Sequence, residues 1–386
     1  MEDPRNSAPA LFEATFGAPP TCVSWAPGRF EVLGNHTDYN DGLVLSAAIQ
    51  YGVAVAIRPT ESPTVRAVAA IDNQTRNFDL TNIDGQPEGH WLDYVRGVAA
   101  GLLSRHPDML GADIAIDGNV PPGAGLSSSA ALEIATARAF MQAHSLEVDT
   151  IDIAKLAREA EHRYAGVNCG LLDQISSLYG KQQALIHTDF RSLDVSTISL
   201  PDDVVFLIAN SGVTHQLAES DYNERRESCE AAATWFNENL DHPVTALRDV
   251  SWEEWLQHNA SMPERLAKRS AHIIGENTRV TQARTALENN DWETLGTLMF
   301  ESHQSSITYF ENSCPELDII VEACRTIDGA IGARLTGGGF GGGALIMTTR
   351  DETEAVTQSL KKTWKSQLGS ELPVTDMYAS DGAIRG

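Results

Sequence analysis

Pro121-Pro-Gly-Ala-Gly-Leu-Ser-Ser-Ser-Ala-Ala131 is a glycine turn followed by three serines and a helix-forming run from Ala130 onward. Gly123 and Gly125 carry no Cβ, so the backbone can come close to a ligand there. Ser127, Ser128 and Ser129 fall where the unpaired amides of a helix N-terminus point outward, a place that attracts anions and phosphates above all. Serine is also a common helix cap, but a cap needs one serine and this stretch offers three after a double glycine. The strand-like residues 113–116 just before it complete the order strand, glycine turn, helix that a phosphate site requires. No Gly-x-x-x-x-Gly-Lys-Ser/Thr string occurs, which argues against a P-loop.

A chain of 386 residues is too long for one core and fits two domains. Its 53 acidic and 28 basic residues give a net charge of −25, which argues against a nucleic-acid surface or a patch for anionic membranes. Only six of the basic residues are lysine, a composition suited to a salt-tolerant cytoplasm. If so acidic a protein binds an anionic nucleotide, amide dipoles, a divalent metal or a few arginines must compensate locally. Five scattered cysteines, Cys22, Cys169, Cys229, Cys314 and Cys324, show neither a disulfide framework nor zinc spacing. The start Met1-Glu-Asp-Pro-Arg does not read as a signal peptide, and no apolar run is long enough to span a membrane. The expectation is a soluble cytoplasmic protein.

Residues 1–21 read as a short helix around Leu11, Phe12 and Phe16, closed by Gly17. Two apolar segments then flank a polar centre that holds Arg29, Asn35, His36, Asp38 and Tyr39. Such a density of hydrogen-bonding groups is what a polyol site needs, because a sugar exchanges many water contacts for protein ones. Turn formation alone would explain Asp38 or Asn40 but leaves Arg29 and His36 unexplained. Residues 91–104 read as a helix with Trp91, Tyr94, Val95, Val98 and Leu102 on one side, where core packing outranks base stacking as the use of Trp91.

In the next helix, from about Thr150 to Ala165, Ala154, Ala157, Glu161 and Tyr164 share a face. A carboxylate on a face of small and aromatic side chains needs a partner, and either a metal ion or an arginine would serve. Asp173, in Gly170-Leu-Leu-Asp-Gln174, is a helix cap or a catalytic acid according to its neighbours.

Residues 204–209 form a continuous apolar run typical of a buried strand, and the domain boundary is expected near residues 180–200. This divides the chain into 1–195 and 196–386. Residues 221–224 resemble a capping box for a helix that turns Tyr222, Cys229, Ala233 and Phe236 inward, and weaker amphipathic helices fill 263–305 and 315–327. Near the end, Ala333-Arg-Leu-Thr-Gly-Gly-Gly-Phe-Gly-Gly-Gly-Ala-Leu-Ile-Met347 sets six glycines between apolar ends. A linker would be polar on both sides, so this predicts a tight turn in a buried hairpin close to a ligand or another backbone.

Two glycine turns, a candidate metal carboxylate, a candidate base and a polyol cluster together suggest phosphoryl transfer to a sugar. The serine turn is similar to the nucleotide motif of the GHMP kinases. Gly28-Arg-Phe-Glu-Val-Leu-Gly-Asn-His-Thr-Asp-Tyr-Asn40 resembles the more specific galactokinase signature within that superfamily. Cys169-Gly-Leu-Leu-Asp-Gln174, Arg191-Ser-Leu193, Ser313-Cys-Pro-Glu-Leu-Asp318 and Thr336-Gly-Gly-Gly-Phe-Gly-Gly342 follow in galactokinase order, so the resemblance covers essentially the whole chain.

The resemblance implies a two-domain α+β fold with the active site in the cleft between domains, and a kinase that uses ATP and Mg2+ on the anomeric hydroxyl of galactose. Matched by position, Asp173 is the catalytic aspartate, and Arg29 keeps it ionised and steadies the transferring phosphoryl group. Ser129 and Glu161 fall on the magnesium positions; Gly123, Gly125, Ser127 and Ser128 fall on phosphate contacts of ATP. Asn35, His36, Asp38, Gly170 and Tyr222 fall on sugar positions beside Asp173, with Asp38 expected at the 3- and 4-hydroxyls. The partners implied are the sugar and ATP, with no nucleic acid or membrane. The sequence leaves the oligomeric state open, with a monomer favoured.

Galactokinases carry a glutamate where this chain has Asn35, and that glutamate accepts from the C6 hydroxyl. Asparagine keeps an acceptor, removes the charge and adds a donor, which would also admit a C6 carboxylate such as galacturonate or another C6-altered sugar. Glu31 replaces the family's usual asparagine, and residues 307–310 replace a more charged stretch; the sequence assigns neither a role. Some relatives bind ATP and sugar but act as sensors, and these lack a Ser-Ala pair in the serine turn. Ser129 and Ala130 are present here, which favours turnover.

Overall fold

The computed structural model describes residues 2–166, 168–213 and 218–384. Helix α1 (Pro4–Phe16) closes on Gly17 in the left-handed region, as expected, and packs on the sheet that follows. Strand β1 (Cys22–Leu33) leads into the polar loop, and β2 (Leu43–Pro59) returns antiparallel to it. A hairpin of β3 (Thr64–Ala69) and β4 (Gln74–Asp79), helix α2 (Leu92–Arg105) and strand β5 (Ala112–Gly118) come next. Then follow α3 (Ser128–His144), α4 (Thr150–Ala160), α5 (Leu172–Tyr179), β6 (Ala184–Asp189) and β7 (Asp194–Ser199).

These strands make one seven-stranded sheet in the order β4-β3-β5-β2-β6-β7, with β1 on the other edge of β2. Only β3 and β5 run parallel; every other pair is antiparallel, as an α+β fold requires. Helices α2 to α5 cover one face with the apolar side chains of residues 92–102, 131–140 and 153–160.

The second half holds β8 (Val204–Asn210), α6 (Ala218–Asn239), α7 (Trp252–His258), α8 (Glu264–Glu288) and α9 (Trp292–Ser305). After them come α10 (Pro315–Cys324), β9 (Ala330–Leu335), β10 (Gly343–Thr349), α11 (Thr353–Leu368) and β11 (Val374–Met377). Its sheet has the order β11-β8-β10-β9, and β8 is buried throughout except at Asn210. The glycine stretch is the turn of the antiparallel β9/β10 hairpin, as its apolar flanks predict.

The halves share a core. Phe30, Leu33 and Leu45 from the first sheet pack with Phe206 and Leu345 from the second and with Met299 of α9, and the rings of Phe30 and Phe206 lie 4.8 Å apart. The chain changes sheets between Ser199 and Val204, and its end returns to the first half, where the Ser380 amide donates to the Ala48 carbonyl.

Three boundaries differ from the sequence expectation. Helix α3 begins at Ser128 rather than Ala130, because Ser127 takes the cap position at φ 55°. Helix α6 starts before residue 221, so residues 221–224 lie inside it. Helix α4 ends at Ala160 and widens into a π turn over Glu161–Ala165, an irregularity that often marks functional sites and that apolar periodicity does not reveal.

Candidate active site

Arg29 and Glu31 leave the same face of β1, two residues apart, and both are buried. Arg29 reaches the first turn of α5, where its Nε and Nη2 meet Oδ1 of Asp173 at 2.8 and 2.6 Å. Its Nη1 donates to the Gly125 carbonyl at 2.6 Å, so one guanidinium ties the acid to the glycine turn. Asp173 accepts a further hydrogen bond from the Ser127 hydroxyl. Asp173 is thus a half-exposed carboxylate held by an arginine and a serine, in place of the helix cap the sequence left open.

The serine turn continues into α3, where Ser129 Oγ donates to Oε1 of Glu161 at 3.0 Å. The other Glu161 oxygen accepts from Gln174 Nε2 at 3.1 Å and from Cys169 Sγ at 3.2 Å. All three partners are neutral. Burial pushes the Glu161 carboxyl up, and the charge of Asp173 adds to the effect. No arginine or lysine pairs with Glu161 among the described residues, so the salt-bridge reading of this residue fails. Its missing counter-charge fits a divalent cation, and a carboxylate with a hydroxyl is an oxygen set that magnesium accepts when phosphates complete it.

A cavity of about 160 Å³ joins these groups to the polar loop. Arg29, Glu31, Asn35, His36, Asp38, Glu161, Gly170, Asp173 and Tyr222 all line it, together with Gly337 and Gly338 of the β9/β10 turn. Gly123, Gly125, Ser127, Ser128 and Ser129 do not line it; Gly123, Gly125 and Ser128 are exposed. Gly125 and Gly337 both have positive φ, and a Cβ on Gly337 would come within 3.1 Å of the Gly125 carbonyl. The two glycine turns therefore lie directly against each other.

His36 sits at φ 60° with both ring nitrogens engaged. Nε2 faces the Gly338 carbonyl at 3.1 Å and must donate, so Nδ1 accepts from the Tyr39 hydroxyl at 2.7 Å. Burial lowers its pKa to about 4, which keeps the ring neutral. Tyr222 and Phe310 flank that ring at 4.8 and 4.6 Å, which gives the π turn Ser306–Phe310 a role the sequence did not: it backs the polar loop. Burial raises Asp38 to about 7, with Asp173 adding to the shift. Gly170 lies so close that a Cβ there would be 1.9 Å from Oδ2 of Asp38.

Several contacts of the site escaped the sequence reading. Thr336 both donates to and accepts from the Glu31 backbone, at 3.1 and 3.0 Å. Glu276, on α8, accepts from the amides of Gly34 and Asn35 at 2.9 Å each and so holds the loop that presents His36. Although burial opposes it, Arg279 keeps the Glu276 carboxyl far below the usual carboxylate range. Arg334, fully buried on β9, contacts Oε1 of Glu31 at 2.6 Å. An arginine flanked by apolar strand residues was the one available signal for that pair.

Three family models match the chain: GHMP kinases N terminal domain over residues 93–181, the galactokinase galactose-binding signature over residues 10–59, and GHMP kinases C terminal over residues 283–366. A galactokinase of Glaesserella parasuis serovar 5 is 39% identical over 384 residues, 98% of each chain. The chain belongs to the galactokinase family. A crystal structure of Lactococcus lactis galactokinase complexed with galactose superposes at a TM-score of 0.92 with 28% identity, over 97% of this chain and 98% of that one. Mevalonate kinase of Methanococcus jannaschii, at 18% identity and a TM-score of 0.63 over 93% and 98%, shares the fold. As a galactokinase-family kinase the chain is an ATP-using enzyme.

The galactokinase signature spans the Arg29–Asp41 loop, where one expectation changes. The case for a C6 carboxylate rested on the charge lost at position 35. Glu31 Oε1 lies 3.2 Å from the Asn35 amide nitrogen, inside the same cavity, so the site keeps a carboxylate there. No helix of the described residues is long and apolar enough to cross a membrane, and the five cysteines are free.

Proposed function

We propose that this galactokinase-family enzyme phosphorylates the anomeric hydroxyl of galactose, with Asp173 and Arg29 as the catalytic pair. The observation that carries the reading is that Arg29 and Ser127 tie Asp173, which lines the cavity with the polyol loop, to the serine turn. The sugar's anomeric O–H gives its proton to Asp173, the new O–P bond forms as the bond to the leaving phosphate breaks, and ADP departs. Arg29 holds Oδ1 of Asp173, and Oδ2, which accepts from the Ser127 hydroxyl, takes that proton on its other lone pair. The Arg29 charge also faces the transferring group, where charge stabilisation supplies most of the rate. Asp38, Gly170 and Tyr222 wall the sugar, and the neutral His36 ring fixes that wall through Tyr39 and Gly338.

Gly123, Gly125, Ser127 and Ser128 would face the ATP phosphates at the start of α3, and Ser129 with Glu161 would hold magnesium. Bound there, the ion would neutralise phosphate charge next to the buried Glu161. A coupled ADP-release assay with galactose, galacturonate and glucose tests the reading, with galactose expected to be the best substrate. ADP release with none of them would favour a sensor, and a preference for galacturonate would overturn the substrate.

A further inference from the structure

Glu31 and Asn35 both line the cavity, and their hydrogen bonds leave them unequally free to accept from a ligand. Asn35 Nδ2 has two N–H groups: one goes to the Gly337 carbonyl at 2.8 Å, the other to Glu31 Oε1 at 3.2 Å. Its Oδ1 already accepts from Asn312 Nδ2 at 2.9 Å. Glu31 Oε1 takes Arg334 Nη1 and the Asn35 amide, whereas Oε2 has only a 3.5 Å contact with that same amide. Glu31 Oε2 is thus the least engaged acceptor of the pair, and it belongs to a cavity-lining side chain.

Placement agrees. Glu31 follows Arg29 by two strand residues on the same face, about 6–7 Å along β1 at the usual rise, and both line the one cavity. The resembled signature has asparagine at position 31 and glutamate at 35; this chain carries the same two groups transposed, and they touch.

We infer that Glu31 accepts the C6 hydroxyl of the sugar and rejects a C6 carboxylate, and that Asn35 is a positioning residue that fixes the Glu31 carboxylate. The inference rests on the sugar-kinase reading of the same cavity. In Glu31→Gln, Arg334 claims the amide oxygen, so an N–H replaces the acceptor that faces the sugar. That change welcomes a carboxylate.

The test is steady-state kinetics with galactose, 6-deoxygalactose and galacturonate. The wild type should use galactose about tenfold or more better than either analogue, since each leaves a buried acceptor unpaired or repelled. Glu31→Gln should narrow the gap between galactose and galacturonate about tenfold through KM for the sugars, with KM for ATP within about twofold. The double variant Glu31→Asn with Asn35→Glu, which keeps one carboxylate and one amide, should restore the wild-type order and covers the case that Glu31→Gln folds poorly. An equal loss on all three sugars in Glu31→Gln, or a double variant without sugar preference, would overturn the inference and reduce Glu31 to a partner for Arg334. Absence of galactose turnover in the wild type would instead sink the kinase reading and this inference with it.

Discussion

Arg29 grips a single oxygen of Asp173 with two of its nitrogens, at 2.8 and 2.6 Å, and uses the third on the Gly125 carbonyl. The acid and the serine turn therefore cannot move independently. Asp173→Asn keeps the shape and removes the proton acceptor. Turnover should fall about 10²–10⁴-fold, the usual worth of a general base, while calorimetry still detects galactose binding. Near-normal turnover in this variant would remove Asp173 from its assigned role.

Asp38, if it accepts from the sugar as proposed, should couple sugar binding to pH. Its carboxyl, raised to about 7 by burial and by Asp173, is partly protonated in the free enzyme at neutral pH. Hydroxyls that donate to it favour the ionised form, so binding releases a proton, and KM for galactose should climb as pH falls below about 7. The stability sign is opposite to that of an ion-paired aspartate. Because the folded value exceeds the unfolded one, Asp38 costs stability progressively as pH rises from about 3.8 to about 7, and the cost is constant above. Calorimetry in buffers of different ionisation enthalpy would read the released proton; none at pH 6–7 would contradict the assignment.

Glu161→Gln should separate folding from metal use. The substitution removes a buried carboxylate that faces only neutral partners, so the metal-free variant should melt above the wild type. With nucleotide and magnesium a hundredfold above Kd, the wild type gains about 2.7 kcal/mol of stability, and the variant should gain little of it. Differential scanning fluorimetry with and without magnesium compares the two, and an undiminished gain in the variant would refute the metal role.

Gly170→Ala is the sharpest steric probe of the sugar wall. The added methyl would sit 1.9 Å from Oδ2 of Asp38, so that carboxylate must swing away. A loss of about 1–3 kcal/mol on overpacking is expected, along with a large rise in KM for galactose and an unchanged KM for ATP. An unaltered galactose KM would mean that Asp38 does not contact the sugar.

The parts of this site that sequence discloses are those where chemistry is concentrated locally. Three serines after a double glycine, six glycines between apolar strands and a loop crowded with Arg29, His36 and Asp38 each announce a backbone or a ligand close by. What it hides depends on partners far along the chain. Glu31 and Arg334 are 303 positions apart, and neither residue alone specifies the other. Glu276 looks like one more charge on a long helix until its oxygen is seen on the amides of Gly34 and Asn35. His36 was legible as a site residue, but the engagement of both its nitrogens came only from the positions of Tyr39 and Gly338.

The bond from Arg334 to Glu31 crosses from the second sheet into the first and ends on a side chain that lines the cavity. A chimera that grafted another enzyme's C-terminal portion onto this N-terminal one would thus have to supply a cation opposite position 31. Without it, a solitary anion would be stranded beneath the sugar pocket, and the hybrid's defect would surface as altered taste for substrate before any failure to fold.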